Sequence, residues 1–485
     1  MSEGVKSLSH AVRPRVIGRY LGQLGIVLAL LTSVTLAVSL WFGEYHLSIR
    51  YLLMITLILA LAYPLSRLKA PASLQSNEAL AIVALAFLLT PLAAMLPLTT
   101  AGLAPIDALF EAVSAITTTG LSTLASVEGL PQTTLFARAW MQWYGGLGII
   151  VFSLAMLLGY EGSARRFVDA AEVEGMLTTT HHYARRMLTL YAALTALGVV
   201  LLWPLLGDGF AALLHALAAL STGGFAPSDG SLAALPRPAA ALVIGLSLLG
   251  AIPFVLHYRL LHGRWREVVG DSELHTLLLL LLACASTLAL LLHLQQGMAW
   301  GDAWFHGLLL GGSAQSTAGF TTLPIGELAD GSKLSLIVSM FIGGGMGSTA
   351  GGIKVMRLLI LLRLLQLLLR RTTLPSHAID TPKLQGREIG GEELQRAMVL
   401  IFLFFCTIAF SWFGFVLYGY PPLDALFEVV SATGTVGLSS GISAPGLEDG
   451  LKLLLCLDML LGRLEIVALL VLLYPPSWFS KHAKD

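Results

Sequence analysis

The chain has 485 residues, 56% hydrophobic and only 12% charged, and its 29 basic and 29 acidic side chains cancel to a formal net charge of zero. A soluble domain carries roughly 25% charged residues, so this composition, with a mean hydropathy of +0.79, argues against a soluble protein and for the bilayer. The balanced charge gives no sign of a nucleic-acid partner.

In chain order, a basic N-terminus through Arg19 runs into a long apolar stretch without a small-residue cleavage site, so it reads as a retained span. A spanning helix needs about 20 apolar residues. Ten segments qualify: 19–42, 50–66, 77–97, 133–159, 184–206, 236–257, 273–293, 332–369, 396–418 and 449–473. Four shorter segments, at 106–116, 209–220, 302–315 and 423–432, cannot cross. They read as re-entrant pore helices, which survive at membrane depth when buried in protein. Cys284, Cys406 and Cys456 lie in apolar runs without metal or redox spacing and read as buried thiols.

Each short segment leads to a Ser/Thr-rich turn closed by glycine. The aligned triplets are Thr118-Thr119-Gly120, Thr222-Gly223-Gly224, Thr317-Ala318-Gly319 and Thr435-Val436-Gly437. Potassium filters replace an ion's water shell with rings of backbone carbonyls, and glycine permits the angles that aim carbonyls into a pore. No triplet holds a carboxylate, which argues against a calcium-type ring, and none has the full Thr-Val-Gly-Tyr-Gly of tetrameric potassium channels. A single such turn is weak evidence, since membrane helix interfaces are rich in small residues. Four in register, each after a short helix and before a long span, favour a filter.

The repeat is visible residue by residue. Asp107-Ala108-Leu109-Phe110-Glu111 returns as Asp424-Ala425-Leu426-Phe427-Glu428, while His215 and Leu310 stand in the glutamate position of the middle copies. The expected fold is an all-α membrane protein: four pseudo-symmetric helix–pore loop–helix units around one pore, plus an N-terminal transmembrane helix pair. The divisions fall at 1–72 for the hairpin and at 73–165, 166–268, 269–388 and 389–485 for pore units 1 to 4.

Basic residues orient the chain. Arg13, Arg15, Arg19, Arg67, Lys69, Arg165, Arg166, Arg185, Arg186, Arg259, Arg264, Arg266, Arg370, Arg371, Lys383, Arg387, Lys481 and Lys484 fall on one side, which the positive-inside rule makes cytoplasmic. The other side has few cations (Arg138, Arg237, Lys333 and Lys452) and many acids, among them Glu111 and Glu428. An acidic outer mouth would concentrate cations. Asp107, Asp208, Asp302 and Asp424 also stand where helix N-caps belong, and the two roles are compatible.

The eighth span is interrupted by Gly343-Gly344-Gly345-Met346-Gly347-Ser348-Thr349-Ala350-Gly351-Gly352-Ile353-Lys354, with six glycines in ten residues. A broken backbone at depth survives where it lines a cavity or is buried in protein. A plug below the filter is the favoured reading; close packing through small residues is the alternative, and Walker-loop spacing is lacking. Arg463 lies inside the last span, where an ionisable residue is a functional candidate. It would repel cations or hold the plug, or else form a local ion pair with Glu465 or Asp458. Lys354 is a gate residue or an interfacial lysine.

With these motifs in hand, the chain resembles the Trk/Ktr/HKT superfamily of potassium transporters, and most of all its TrkH-type membrane subunit. The resemblance spans nearly the whole length and rests on Trp143-Tyr144-Gly145-Gly146-Leu147-Gly148, Ser316-Thr317-Ala318-Gly319-Phe320, Gly347-Ser348-Thr349-Ala350-Gly351-Gly352-Ile353-Lys354 and Gly462-Arg463-Leu464-Glu465-Ile466. It implies that Gly120, Gly224, Gly319 and Gly437 are filter glycines, that the broken-helix loop is the gate, and that Arg463 lies at the constriction. Gly345-Met346-Gly347 departs from the family's usual Gly-Ser-Ala-Gly. The resemblance further implies a homodimer and a cytosolic nucleotide-binding regulatory subunit of the TrkA type.

The expected function is K⁺ uptake across a bacterial inner membrane through a gated, channel-like pore. K⁺ is the cargo, and no organic cofactor is expected. A coupled H⁺ or Na⁺ symporter is the rival, with His215 and His306 as candidate proton carriers. An intramembrane enzyme would need a polar catalytic set within the spans. The only histidine pair, His181-His182, is adjacent rather than spaced for one helix face.

Overall fold

Pro14 opens α1 (Pro14–Trp41) in its first turn, where the missing N–H costs no helical bond. Gly43, with φ of 71°, then reverses the chain into α2 (Tyr45–Ser66). Gly22 lies so close to the backbone of Ala62 and Ser66 that a Cβ would collide there, so the two helices pack as the expected hairpin. Their outer faces expose Leu30, Trp41, Leu53 and Leu61, side chains that suit lipid. The structure, a computed structural model, describes residues 11–71, 74–99, 102–159, 180–373, 383–384 and 387–478. Arg165, Arg166, Lys481 and Lys484 lie outside the described residues.

Four units follow. The first is α3 (Ser76–Thr99), α4 (Pro105–Ile116) and α5 (Gln132–Gly159). The second is α6 (Thr180–Leu206), α7 (Gly209–Leu220), α8 (Arg237–Ala251) and α9 (Phe254–Leu261), with a short α10 (Trp265–Val269) after it. The third is α11 (Ser272–Gln296), α12 (Trp300–Gln315), α13 (Asp330–Ile342) and α14 (Val355–Arg371). The fourth is α15 (Gly391–Leu417), α16 (Pro422–Thr433), α17 (Asp449–Arg463) and α18 (Val467–Leu473). Among the described residues, α1, α2, α3, α6, α11 and α15 are each long and apolar enough to cross a bilayer. They are the hairpin and the first helix of every unit.

The short helices α4, α7 and α16 have 12 residues each. At 1.5 Å per residue they reach about 18 Å, too little for a core of roughly 30 Å. They survive by burial: from Phe110 to Ile116 and from Phe427 to Thr433 every side chain is buried. The packing is cyclic. The helix after each triplet leans on the short helix of the next unit: α5 on α7, α8 on α12, α13 on α16, and α17 back on α4.

One break was expected among the second helices, and the described residues show three. α8 and α9 meet at 96°, because Pro253 lacks an N–H and disfavours helix at Ile252. Residues 343–354 separate α13 from α14. The stretch expected as one span at 449–473 breaks between α17 and α18, where Glu465 and Ile466 take φ of 52° and 61°. Only α5 in the first unit continues unbroken. Among the described residues the α-helical fold carries one small exception, an antiparallel ladder of Lys383–Leu384 with Arg387–Glu388. Cys284 and Cys456 are buried as expected, whereas Cys406 is exposed, on the outer face of α15.

Candidate functional site

The four triplets share one unusual backbone. Each short helix ends in right-handed helical geometry at Thr117, Ser221, Ser316 or Gly434. The next residue then flips: φ is 56° at Thr118, 51° at Thr222, 54° at Thr317 and 50° at Thr435. A β-branched residue rarely adopts this region, and holding it there costs of order 1–3 kcal/mol. Two residues on, Gly120, Gly224, Gly319 and Gly437 have φ of 90°, 82°, 73° and 95°. The middle amide of each triplet donates to the carbonyl five residues earlier: Thr119 to Ser114 at 2.9 Å, Gly223 to Ala218 at 2.8 Å, Ala318 to Ser313 at 2.9 Å and Val436 to Ser431 at 2.8 Å.

These segments close into a ring. A Cβ on Gly120 would overlap the carbonyl oxygen of Gly223; on Gly224, that of Ala318; on Gly319, that of Val436; and on Gly437, that of Thr119. The order runs from unit 1 through 2, 3 and 4 back to 1. All twelve triplet residues therefore meet at one place. The threonines and the middle residues are buried, and the glycines are half-buried. The ring is lined by carbonyls and hydroxyls without a formal charge. The hydroxyls of Thr118 and Thr435 have no protein partner among the described residues.

Supports for this ring went unnoticed in the sequence. The amide of Gly120 donates to Ser114 Oγ at 3.0 Å, and that of Gly437 to Ser431 Oγ at 3.0 Å. Ser114 and Ser431 occupy equivalent places in the repeat, which was the signal available. Gln142 of α5 donates to the Gly223 carbonyl at 2.5 Å and accepts from Phe225 N at 3.2 Å. Glu111 and Glu428, read as acids of an outer mouth, are instead fully buried. Glu111 pairs with Arg138 at 3.0 Å and accepts from the Ser122 hydroxyl and Thr123 N. Glu428 accepts from Ser439 Oγ, Ser440 N and Oγ, and Ser443 N at 2.8–3.1 Å. Burying a carboxylate requires such partners, so these two anchor the loops that leave the ring.

The glycine-rich loop lies against the ring's lower side. Gly351 N donates to Thr317 Oγ1 at 2.7 Å, and Gly352 N to the Gly434 carbonyl at 3.1 Å. A Cβ on Gly351 would overlap Gly434 O and Thr435 Oγ1. Thr349 Oγ1 reaches the carbonyls of Leu220 at 3.0 Å and Gly250 at 2.9 Å. Gly345 N donates to Ala251 O at 2.9 Å, Met346 N to Glu273 at 2.6 Å, and Phe254 N to Gly347 O at 3.2 Å. Ser348 Oγ bonds Gly345 O at 2.6 Å within the loop, and Gly347 and Gly352 take φ of 75° and 74°. The loop thus touches units 2, 3 and 4.

Arg463 is 2% exposed and donates from Nη1 to the Thr349 carbonyl at 2.7 Å; its Nε and Nη2 have no partner among the described residues. The local ion pair weighed for it is not formed, because Glu465 pairs with Arg357 and Asp458 accepts from Ser411 Oγ at 2.7 Å. Lys354 is buried, not interfacial. Its Nζ donates to the Ala350 carbonyl, and its φ is 75°. His215 donates from Nδ1 to Ala211 O at 2.8 Å, and His306 Nδ1 shares a 2.9 Å bond with Thr322 Oγ1; neither bonds a triplet.

On the outer side, ion pairs tie one unit to the next: Arg237 to Asp302 at 2.6 Å, Lys333 to Asp424 at 2.7 Å and Lys452 to Asp107 at 2.8 Å. Only Asp208 caps its helix, accepting from Phe210 N at 2.8 Å; the other three stand inside the first turn. Between units 1 and 2, Arg138 stacks over the Phe225 ring, 3.8 Å from its centre. Asp229 accepts from Ser126 Oγ at 2.6 Å and Val127 N at 2.7 Å, and these bonds hold its carboxyl below the usual aspartate range.

The TrkH family profile, described as a cation transport protein, matches residues 48–481. The chain is 31% identical to the Trk system potassium uptake protein TrkI of Halomonas elongata, over 95% of this chain and 96% of that protein. It is 32% identical to the Trk system potassium uptake protein TrkH of Escherichia coli, over 77% of this chain and 79% of that one. The crystal structure of the potassium transporter TrkH from Vibrio parahaemolyticus superimposes with a TM-score of 0.85 at 26% identity, covering 96% of this chain and 100% of that chain.

Proposed function

Because the chain belongs to the TrkH family of cation transport proteins, a multi-pass inner-membrane protein whose relatives are transporters and not enzymes, we propose that it takes up K⁺ through the four-unit ring. The observation that carries this reading is the ring's closure, each glycine of a Thr-X-Gly triplet set against the carbonyl of the next unit. K⁺ is a hard cation, and carbonyl and hydroxyl oxygens replace its water. The short helices α4, α7, α12 and α16 end at the ring, so their partly negative C-termini favour a cation there. Inward movement is driven by membrane potential, about 2.3 kcal/mol per charge per 100 mV.

In this reading the loop from Gly343 to Lys354 is the gate, held shut beneath the ring by Thr349, Gly351, Gly352 and Arg463. A homodimer and a cytosolic nucleotide-binding subunit of the TrkA type complete the proposed system. The test is Gly319→Ser. A side chain there meets the Val436 carbonyl and opposes φ of 73°, so K⁺ preference over Na⁺ should fall. Unchanged preference in a folded variant removes Gly319 from the filter.

A further inference from the structure

The four triplets are alike in backbone but not in how they are held. In units 1 and 4 a serine of the unit's own short helix, Ser114 or Ser431, accepts the glycine amide at 3.0 Å. In unit 2 the equivalent residue is Ala218, which has no hydroxyl. There the support comes from the neighbouring unit. Gln142 of α5 is fully buried; its Nε2 donates to the Gly223 carbonyl at 2.5 Å and its Oε1 accepts from Phe225 N at 3.2 Å. The two bonds straddle Gly224.

The same side chain accounts for the doubled glycine of this triplet. A Cβ built on Gly223 would stand 2.5 Å from Gln142 Oε1 and 2.8 Å from Nε2. Thr119, Ala318 and Val436 fill this place in the other triplets. Gly223 is thus the one middle residue whose Cβ space is taken by a neighbour's amide. The Gly223 carbonyl is also the atom that Gly120 faces across the seam between units 1 and 2. No side chain among the described residues donates to the equivalent carbonyls of Thr119, Ala318 and Val436.

We infer that Gln142 is a positioning residue for the second triplet and sets part of the pore's cation preference through the Gly223 carbonyl. This inference rests on the ring being the filter. A carbonyl has two lone pairs, so the amide fixes its direction while leaving one pair for an ion. In the field-strength account of filters, cation preference follows the number and strength of such dipoles. Gln142 therefore makes unit 2 electrostatically distinct within a pseudo-fourfold ring.

The experiment compares wild type, Gln142→Leu and Gly319→Ser as full-length protein in liposomes, reading K⁺ and Na⁺ flux and melting temperature. Gln142→Met, unbranched and similar in length, serves if the leucine variant does not fold. Losing a hydrogen bond of ordinary strength should lower the K⁺/Na⁺ flux ratio about 5-fold. A ratio that falls in both the Gln142 and Gly319 variants supports the inference. A ratio unchanged at Gln142 but lowered by Gly319→Ser overturns it and leaves the filter reading standing, even if the Gln142 variant melts at a lower temperature. A ratio unchanged in both overturns the filter reading, and this inference with it.

Discussion

Replacing Arg463 by methionine keeps an unbranched apolar stem, though a shorter side chain, and removes the charge and its bond to the loop. That bond, Nη1 to the Thr349 carbonyl at 2.7 Å, is fully buried. A hydrogen bond from a charged donor contributes about 1.5–3 kcal/mol. Against this stands the cost of burying Nε and Nη2, which have no partner among the described residues. The net hold on the closed loop is therefore at the low end, about 1.5 kcal/mol, or slightly more than tenfold in the closed-to-open ratio. A cation below the ring would also lose a like charge, which adds in the same direction. Basal K⁺ flux per folded molecule should rise about tenfold or more. Stability should change little, because no carboxylate is orphaned: Glu465 keeps Arg357 and Asp458 keeps Ser411. The assay pairs K⁺ uptake into liposomes under an imposed potential with a melting curve. Flux at or below the wild-type value in a variant with normal melting would refute the reasoning.

Deleting Gly347, Ser348 and Thr349 removes both the Arg463 acceptor and the Thr349 bonds to Leu220 and Gly250. It should raise basal flux at least as far as Arg463→Met, and a folded deletion variant no faster than wild type counts against a gate. Asp229 tests the outer seam between units 1 and 2. Its carboxyl is held below the ordinary value of 3.8 by the Ser126 hydroxyl first and the Val127 amide second. The stability it contributes is present above the unfolded value and is lost as pH falls through the folded one. Between pH 6 and 3 the melting temperature of Asp229→Ala should therefore fall less than that of wild type; parallel curves would show that these hydrogen bonds contribute nothing.

Much of the architecture was legible because it repeats. Asp107–Glu111 and Asp424–Glu428 mark equivalent short helices, and the spacing to Gly120 and Gly437 aligned the triplets that the structure brings into one ring. Burial explains what was misread. Glu111 and Glu428 look like surface acids in sequence, yet their partners, Arg138 and the serines after the ring, become visible only once the loop folds back. The breaks were unevenly signalled. Six glycines announced the one at 343–352 and Pro253 gave a usable cue for the second. The third, at Glu465 and Ile466, is signalled only by Gly462 three residues earlier and coincides with the pairing of Glu465 to Arg357, 108 residues away in sequence. Gln142 was out of reach for a similar reason: it supports a triplet 81 residues on, from the preceding unit. The doubled Gly223-Gly224 was its only trace.

The central claim is tested most directly by reconstituting the purified chain in liposomes and measuring K⁺, Rb⁺ and Na⁺ flux under a negative internal potential, with and without a TrkA-type regulatory subunit. K⁺ entry should follow the potential, exceed Na⁺ entry and be modulated by the regulator. Equal K⁺ and Na⁺ entry, or no cation flux in either condition from folded protein, would contradict it.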